Sequence, residues 1–204
     1  MAEKTKKKSY YIKIILLGEP GTGKTNLKNV YFDKAFNSRE EPTMTPTQSF
    51  ESIDSNNNKY NITFWDTMGQ EKYRSIAKTF IKRSNIVIFV YDITRKETFL
   101  ELNYWVNSVN EEIENKEVII GVAANKIDLF DKMEVEKEEG EEYAKKINAL
   151  FCETSAKDNP KGFKTFVNKL LDKLDSNETI MKKIEDIDDN FHLETTKKQK
   201  KKCC

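Results

Sequence analysis

Gly18-Glu19-Pro20-Gly21-Thr22-Gly23-Lys24-Thr25 places three glycines ahead of a cation and a hydroxyl. The spacing matches GxxxxGK[ST], a phosphate-binding loop. Gly18, Gly21 and Gly23 allow backbone conformations that turn successive amides inward. Those amides, with a helix N-terminus behind them, form a cradle for polyphosphate. Lys24 would offset charge on the β- and γ-phosphates, and the Thr25 hydroxyl would ligate Mg²⁺. A glycine-rich strand-to-helix turn could spell the same letters, so the rest of the site has to arbitrate.

Asn125-Lys126-Ile127-Asp128 narrows the nucleotide. A carboxylate at Asp128 can accept from both N1–H and the 2-amino group of guanine. Adenine has neither donor and would leave a buried Asp128 unpaired, a mismatch that can discriminate by about 10⁴–10⁵. The stem of Lys126 can lie against the base. Asp66-Thr67-Met68-Gly69-Gln70-Glu71 adds a carboxylate able to hold Mg²⁺ through water. In the same run Gly69 can offer an amide to a γ-phosphate, and Gln70 can orient an attacking water. In Glu153-Thr154-Ser155-Ala156-Lys157, the Ser155, Ala156 and Lys157 region can close over the guanine.

These residues need strands and helices to bring them together, and the hydropathy pattern provides them. Apolar strands are expected at Tyr10–Leu17, Ile86–Tyr91 and Val118–Ala124, the last two as continuous runs suited to buried parallel strands. Further strands are expected near Thr47–Asp54, Tyr60–Trp65 and Leu150–Cys152, with a turn at Asn56-Asn57-Asn58. Helices are expected from Gly23 to about Phe32, through Leu102–Ile113, around Glu134–Asn148, and over Gly162–Leu174. Each motif then follows a strand, on the sheet edge where such folds bind ligands. Alternating strands and helices imply an α/β three-layer domain, a mostly parallel six-stranded sheet with one antiparallel edge pair.

The 204 residues suffice for one domain with tails. We expect a basic extension over residues 1–9, a nucleotide-binding domain over 10–175, and a disordered polar tail over 176–204. Lys and Arg total 35 against 34 Asp and Glu, a balance that argues against a nucleic-acid-binding body. No run reaches the roughly 18 apolar residues of a membrane helix, and no secretory signal is expected. Three cysteines, two of them Cys203 and Cys204, make no disulfide framework, so an intracellular protein is expected. Cys152, on a predicted strand, reads as an inert core thiol.

Together the four motifs, with Trp65 leading into Asp66, resemble the Ras superfamily of small GTPases. WDTMGQEKYRSI, IVIFVYDIT and the terminal Cys203-Cys204 are similar to the Rab branch. The resemblance spans Tyr10 to Leu174 plus the last two residues. It implies a P-loop GTPase fold and a site for GTP/GDP and Mg²⁺ that includes Pro20, Thr22 and Asn26 beside the loop residues above. It implies that Phe36 stacks edge-on against the guanine, and that a threonine after the phosphate loop ligates Mg²⁺ and senses the γ-phosphate. Relatives place that threonine about nineteen residues past the loop lysine and twenty-three before the aspartate. Thr43 satisfies both spacings, with Thr45 as the alternative. The metal set is then Thr25, Thr43 and Asp66, and the catalytic pair Lys24 and Gln70.

The resemblance further implies a slow, membrane-anchored switch in vesicle trafficking on the cytoplasmic face of an intracellular membrane. It implies a monomer with an activating protein, an exchange factor, an escort protein or dissociation inhibitor, and effectors, and with geranylgeranyl groups on Cys203 and Cys204. Two lipids anchor stably where one binds reversibly, and the lysines of 197–202 would add attraction to an anionic leaflet. Departures from the family pattern bear on partners and on turnover. Met44-Thr45-Pro46-Thr47-Gln48 replaces the usual effector-facing segment, Met68 replaces a small residue, and Pro20 sits where side chains lie near the attacking water. These leave an alternative open, a nucleotide-locked scaffold that recruits partners with little or no hydrolysis. An ATP-using kinase or ATPase is disfavoured by Asp128.

Overall fold

The computed structural model describes residues 7–55, 58–67, 74–113 and 117–185. Its core is a six-stranded sheet of β1 (Ser9–Leu17), β2 (Thr47–Ser55), β3 (Asn58–Asp66), β4 (Ile86–Asp92), β5 (Ile119–Asn125) and β6 (Leu150–Thr154), in the order β2-β3-β1-β4-β5-β6. All neighbours pair parallel except β2 and β3, which run antiparallel with Thr47 opposite Asp66. This is the expected mixed sheet. Residues 56 and 57 of the expected turn lie outside the described residues, and β3 begins at Asn58, two residues earlier than the hydropathy suggests.

Alternating side chains along each strand feed two cores. Ile12, Ile14, Leu16, Ile62, Phe64, Ile88 and Val90 face α1 (Lys24–Tyr31) and α6 (Pro160–Asp175). On the opposite face Ile15, Leu17, Val87, Phe89, Val122 and Ala124 meet Ile81 of α2 (Arg74–Ile81), Trp105 of α4 (Leu102–Glu112) and Ala144 of α5 (Lys137–Lys146). A short α3 (Lys96–Leu100) and a 3₁₀ turn (Ile127–Lys132) complete the connections. Neither α2 nor the 3₁₀ turn is expected from the sequence pattern. Strand and helix residues mostly fall where expected; Ile113 instead ends α4 in extended backbone.

The boundary expected at residue 175 needs correction. A helix, α7, follows over residues 178–185, and its Ile180, Met181 and Ile184 are buried in the core that α1 and α6 cover. The Asn177 side chain accepts from the Ile180 amide at 3.1 Å and caps the helix. Glu185 accepts from Lys8 and from the Tyr10 hydroxyl at 2.7 and 2.8 Å, and Lys183 pairs with Glu117. Residues 176–185 are therefore part of the folded domain. An average over the polar tail hides three apolar residues at helical spacing.

Candidate nucleotide site

Parallel pairing collects the chemistry at one sheet edge. Asp66 ends β3 opposite Leu16 of β1. Asp92, Asn125 and Thr154 end β4, β5 and β6 in register with one another. Above this edge opens a cleft of about 560 Å³, lined by the phosphate loop, by residues 36–38 and 40–43, by Asn125, Lys126 and Asp128, and by Ala156 and Lys157.

The loop that leaves β1 is held in a form only glycine permits at two points. Gly18 has φ 149°, and a Cβ there would stand 2.1 Å from the Val90 carbonyl oxygen. Gly23 has φ 95°, and its Cβ would meet Asn125 Nδ2 at 2.3 Å. Asn125 uses that nitrogen to donate to the Thr22 carbonyl at 2.8 Å, which joins the loop to β5. Thr22 is wholly buried, and its hydroxyl donates to the Glu19 carbonyl at 2.9 Å. Trp105 Nε1 donates to the Glu19 carboxylate at 3.1 Å, fixing the start of the loop to α4. No side chain caps α1, so its first amides stay available to an anion.

Lys24 is nearly buried, and its ammonium donates to the carbonyls of Gly18 and Glu19 at 2.8 and 2.9 Å. Burial pushes its pKa down to about 8, although Asp66 and Glu19 pull the other way. A bound polyphosphate would favour the charged form. Pro20 and Gly21 line the cleft.

The two hydroxyls expected to face Mg²⁺ come together. Thr25 Oγ1 and Thr43 Oγ1 share a hydrogen bond of 2.8 Å, whereas Thr45 is exposed. Asp66 is fully buried, and its Oδ1 has no hydrogen-bond partner among the described residues. Two hydroxyl oxygens and an uncommitted carboxylate oxygen are hard donors of the kind Mg²⁺ takes, so these residues fit the ion. Asp66 Oδ2 accepts from Lys28 at 3.2 Å.

At the base end, Asp128 Oδ1 accepts from the Ser155 hydroxyl at 2.6 Å. Ser155 is fully buried, and its oxygen also takes the amides of Lys157 and Asp158 at 3.1 and 3.0 Å. It fixes Asp128 from behind, leaving Ala156 and Lys157 on the cleft wall, a division of labour the motif does not reveal. Lys126 adopts the left-handed region at φ 71°, and its ammonium pairs with Asp92 at 2.7 Å. Burial would raise the Asp92 pKa, but hydrogen bonds from Lys126 and Thr94 outweigh it and hold the carboxyl below its usual range. Phe36 lines the cleft, partly exposed. Asn26 also lines it, but its amide is committed to Asn37, donating to the carbonyl and accepting from the N–H, both at 2.9 Å. It thereby anchors the segment that carries Phe36.

Met68, Gly69, Gln70, Cys203 and Cys204 lie outside the described residues. Sequence reasoning missed Lys28, Asp92 and Arg95. Asp92 could be found as the last residue of β4 at the ligand edge. Arg95 Nη2 donates to the Pro20 carbonyl at 2.7 Å while its Nε meets Asp92 at 3.2 Å, so a guanidinium borders the phosphate loop.

A sequence model of the Ras family matches residues 13–175. The chain is 37% identical to Ras-related protein Rab-17 of Mus musculus over 150 residues, covering 74% of this chain and 70% of that one. It is 34% identical to Ras-related protein Rab-22A of Homo sapiens over 146 residues, covering 72% and 75%. It is 32% identical to Ras-related protein Rab-18 of Caenorhabditis elegans over 163 residues, covering 80% and 79%.

Proposed function

The chain belongs to the Ras family, on its Rab branch, and from that membership we propose a membrane-anchored GTPase switch for vesicle trafficking that cycles between GTP and GDP. The observation that carries this reading is one cleft holding both the phosphate-loop Lys24 and a carboxylate, Asp128, steadied by Ser155. The first binds polyphosphate, and the second selects guanine.

In this mechanism Lys24 and the loop amides spread the charge of the transferring phosphoryl group. Thr25, Thr43 and Asp66 would hold Mg²⁺, which when bound would supply positive charge that offsets the charge of the phosphates. Gln70 orients water, and the amides of Thr43 and Gly69 meet the γ-phosphate. Loss of that group frees both segments, which makes hydrolysis a timer. Intrinsic turnover is slow. The described arginine nearest the loop, Arg95, is occupied by Asp92 and Pro20, so an activating protein supplies the finger. Exchange factor, escort protein and effectors complete the cycle, and lipidated Cys203 and Cys204 hold the chain to an intracellular membrane. Among the described residues no helix is long and apolar enough to cross one.

Single-turnover GTP hydrolysis by the Mg²⁺-loaded protein, wild type beside Gln70→Leu, tests the reading. Slow turnover that falls at least about tenfold further in the variant is expected, the scale of a lost water-positioning group. Absence of turnover in both, even with an activating protein, would favour the nucleotide-locked scaffold. Met68 in the sequence and Pro20 on the cleft wall are the features that favour that reading. GTP should displace fluorescent GDP at concentrations where ATP does not.

A further inference from the structure

Lys28 stands one helical turn after Lys24 on α1, where its side chain is 8% exposed. Its ammonium donates to Asp66 Oδ2 at 3.2 Å and to Thr47 Oγ1 at 2.7 Å. Asp66 ends β3 and is fully buried, and Thr47 opens β2 directly opposite it. One buried cation thus ties together the helix behind the phosphate loop, the strand that carries the metal-facing carboxylate, and the exit of the segment that carries Thr43. A buried carboxylate without a partner is expensive, and here a fixed positive charge compensates one of its oxygens. The other, Oδ1, stays uncommitted.

We propose that Lys28 is a positioning residue that acts through Asp66 as a built-in counter-cation, lowering the affinity of the site for Mg²⁺ and so loosening the hold on nucleotide when free Mg²⁺ is low. The proposal rests on the GTPase reading above and goes beyond it. The ammonium does two things to the carboxylate. It orients Asp66, which would favour the metal, and it cancels charge the metal would otherwise meet, which opposes it. The charge effect prevails, because it acts against a divalent ion through a buried carboxylate, whereas the orienting bond is one of several constraints on a residue at the end of a paired strand. The same contact keeps Asp66 compensated when the metal leaves, so the metal-free form stays folded long enough to exchange its nucleotide.

The test is release of fluorescent GDP from the full-length chain across a series of buffered free Mg²⁺ concentrations. Wild type is compared with Lys28→Met, Lys28→Gln and Lys28→Arg. Methionine removes both charge and hydrogen bonds; glutamine removes the charge but keeps a shorter N–H donor, and decides the outcome if the methionine variant does not fold. Arginine keeps the charge. The Mg²⁺ concentration that half-suppresses release should fall at least about tenfold in the two neutral variants and stay within about threefold of wild type in the arginine variant, as expected for loss of one charge beside a divalent ion. Coincident midpoints in all four proteins, higher midpoints in the neutral variants, or an arginine variant that behaves like them would each overturn the proposal while leaving the GTPase reading intact. Release that ignores Mg²⁺ in wild type would instead overturn the metal site itself, and this inference with it. A purely structural lysine would change the melting temperature and leave the midpoint in place.

Discussion

Thr25 and Thr43 belong to a helix and to an irregular segment, yet their hydroxyl oxygens lie 2.8 Å apart. The spacing seen in relatives prefers Thr43 to Thr45; Thr43 is the one that meets Thr25, and Thr45 is exposed. Thr43→Ala should raise the Mg²⁺ concentration needed to retain a non-hydrolysable GTP analogue by about tenfold, equivalent to about 1.4 kcal/mol. Thr45→Ala should leave it within about twofold, a contrast that fluorescence titration of the two variants can read. Motif residues were legible because loop, metal and base chemistry each demand particular residue types at fixed spacing. Lys28 and Arg95 gave no such signal. Their meaning comes from Asp66 and Pro20, 38 and 75 positions away, and no periodicity reports a pairing at that distance. Cys152 lies partly buried against the core rather than within it, and burial pushes its thiol pKa up, away from the reactive thiolate.

At the scale of elements, long apolar strands announce themselves, while short elements depend on contacts made elsewhere. β4 is buried at every position and reads as a strand from its composition alone. α7 does not, because Ile180, Met181 and Ile184 stand among lysines and acids, and their burial comes from packing with the residues around Tyr10 and Leu174. Ile184→Ala should lower the free energy of unfolding by about 2–4 kcal/mol through the cavity it leaves. Lys182→Ala, at an exposed position of the same helix, should change it by less than about 0.5 kcal/mol. Urea denaturation of the two variants separates a docked helix from a tail that merely coils nearby. The 3₁₀ turn after Asn125 is hard to foresee for a similar reason: it starts from Lys126 in the left-handed region, a conformation held by its salt bridge to Asp92.

Across the whole molecule, the cleft is built from β1's loop, α1, the segment before β2, β5's end and the turn after β6. A ligand seated there bridges the sheet edge and joins elements on both faces, so binding energy becomes folding energy. Saturation with GDP and Mg²⁺ at about a thousand times the dissociation constant should add about 4 kcal/mol and raise the melting temperature by on the order of 10 °C. ADP at the same concentration should do neither in a thermal melt. The docking of α7 also sets the length of a leash. Measured from residue 175, the chain to Cys203 could extend about 100 Å; measured from the end of α7, it spans at most about 65 Å. A lipid on that cysteine would confine the GTPase body to a layer about two-thirds as deep, with β1, Lys8 and Glu185 at the point where the leash is made fast.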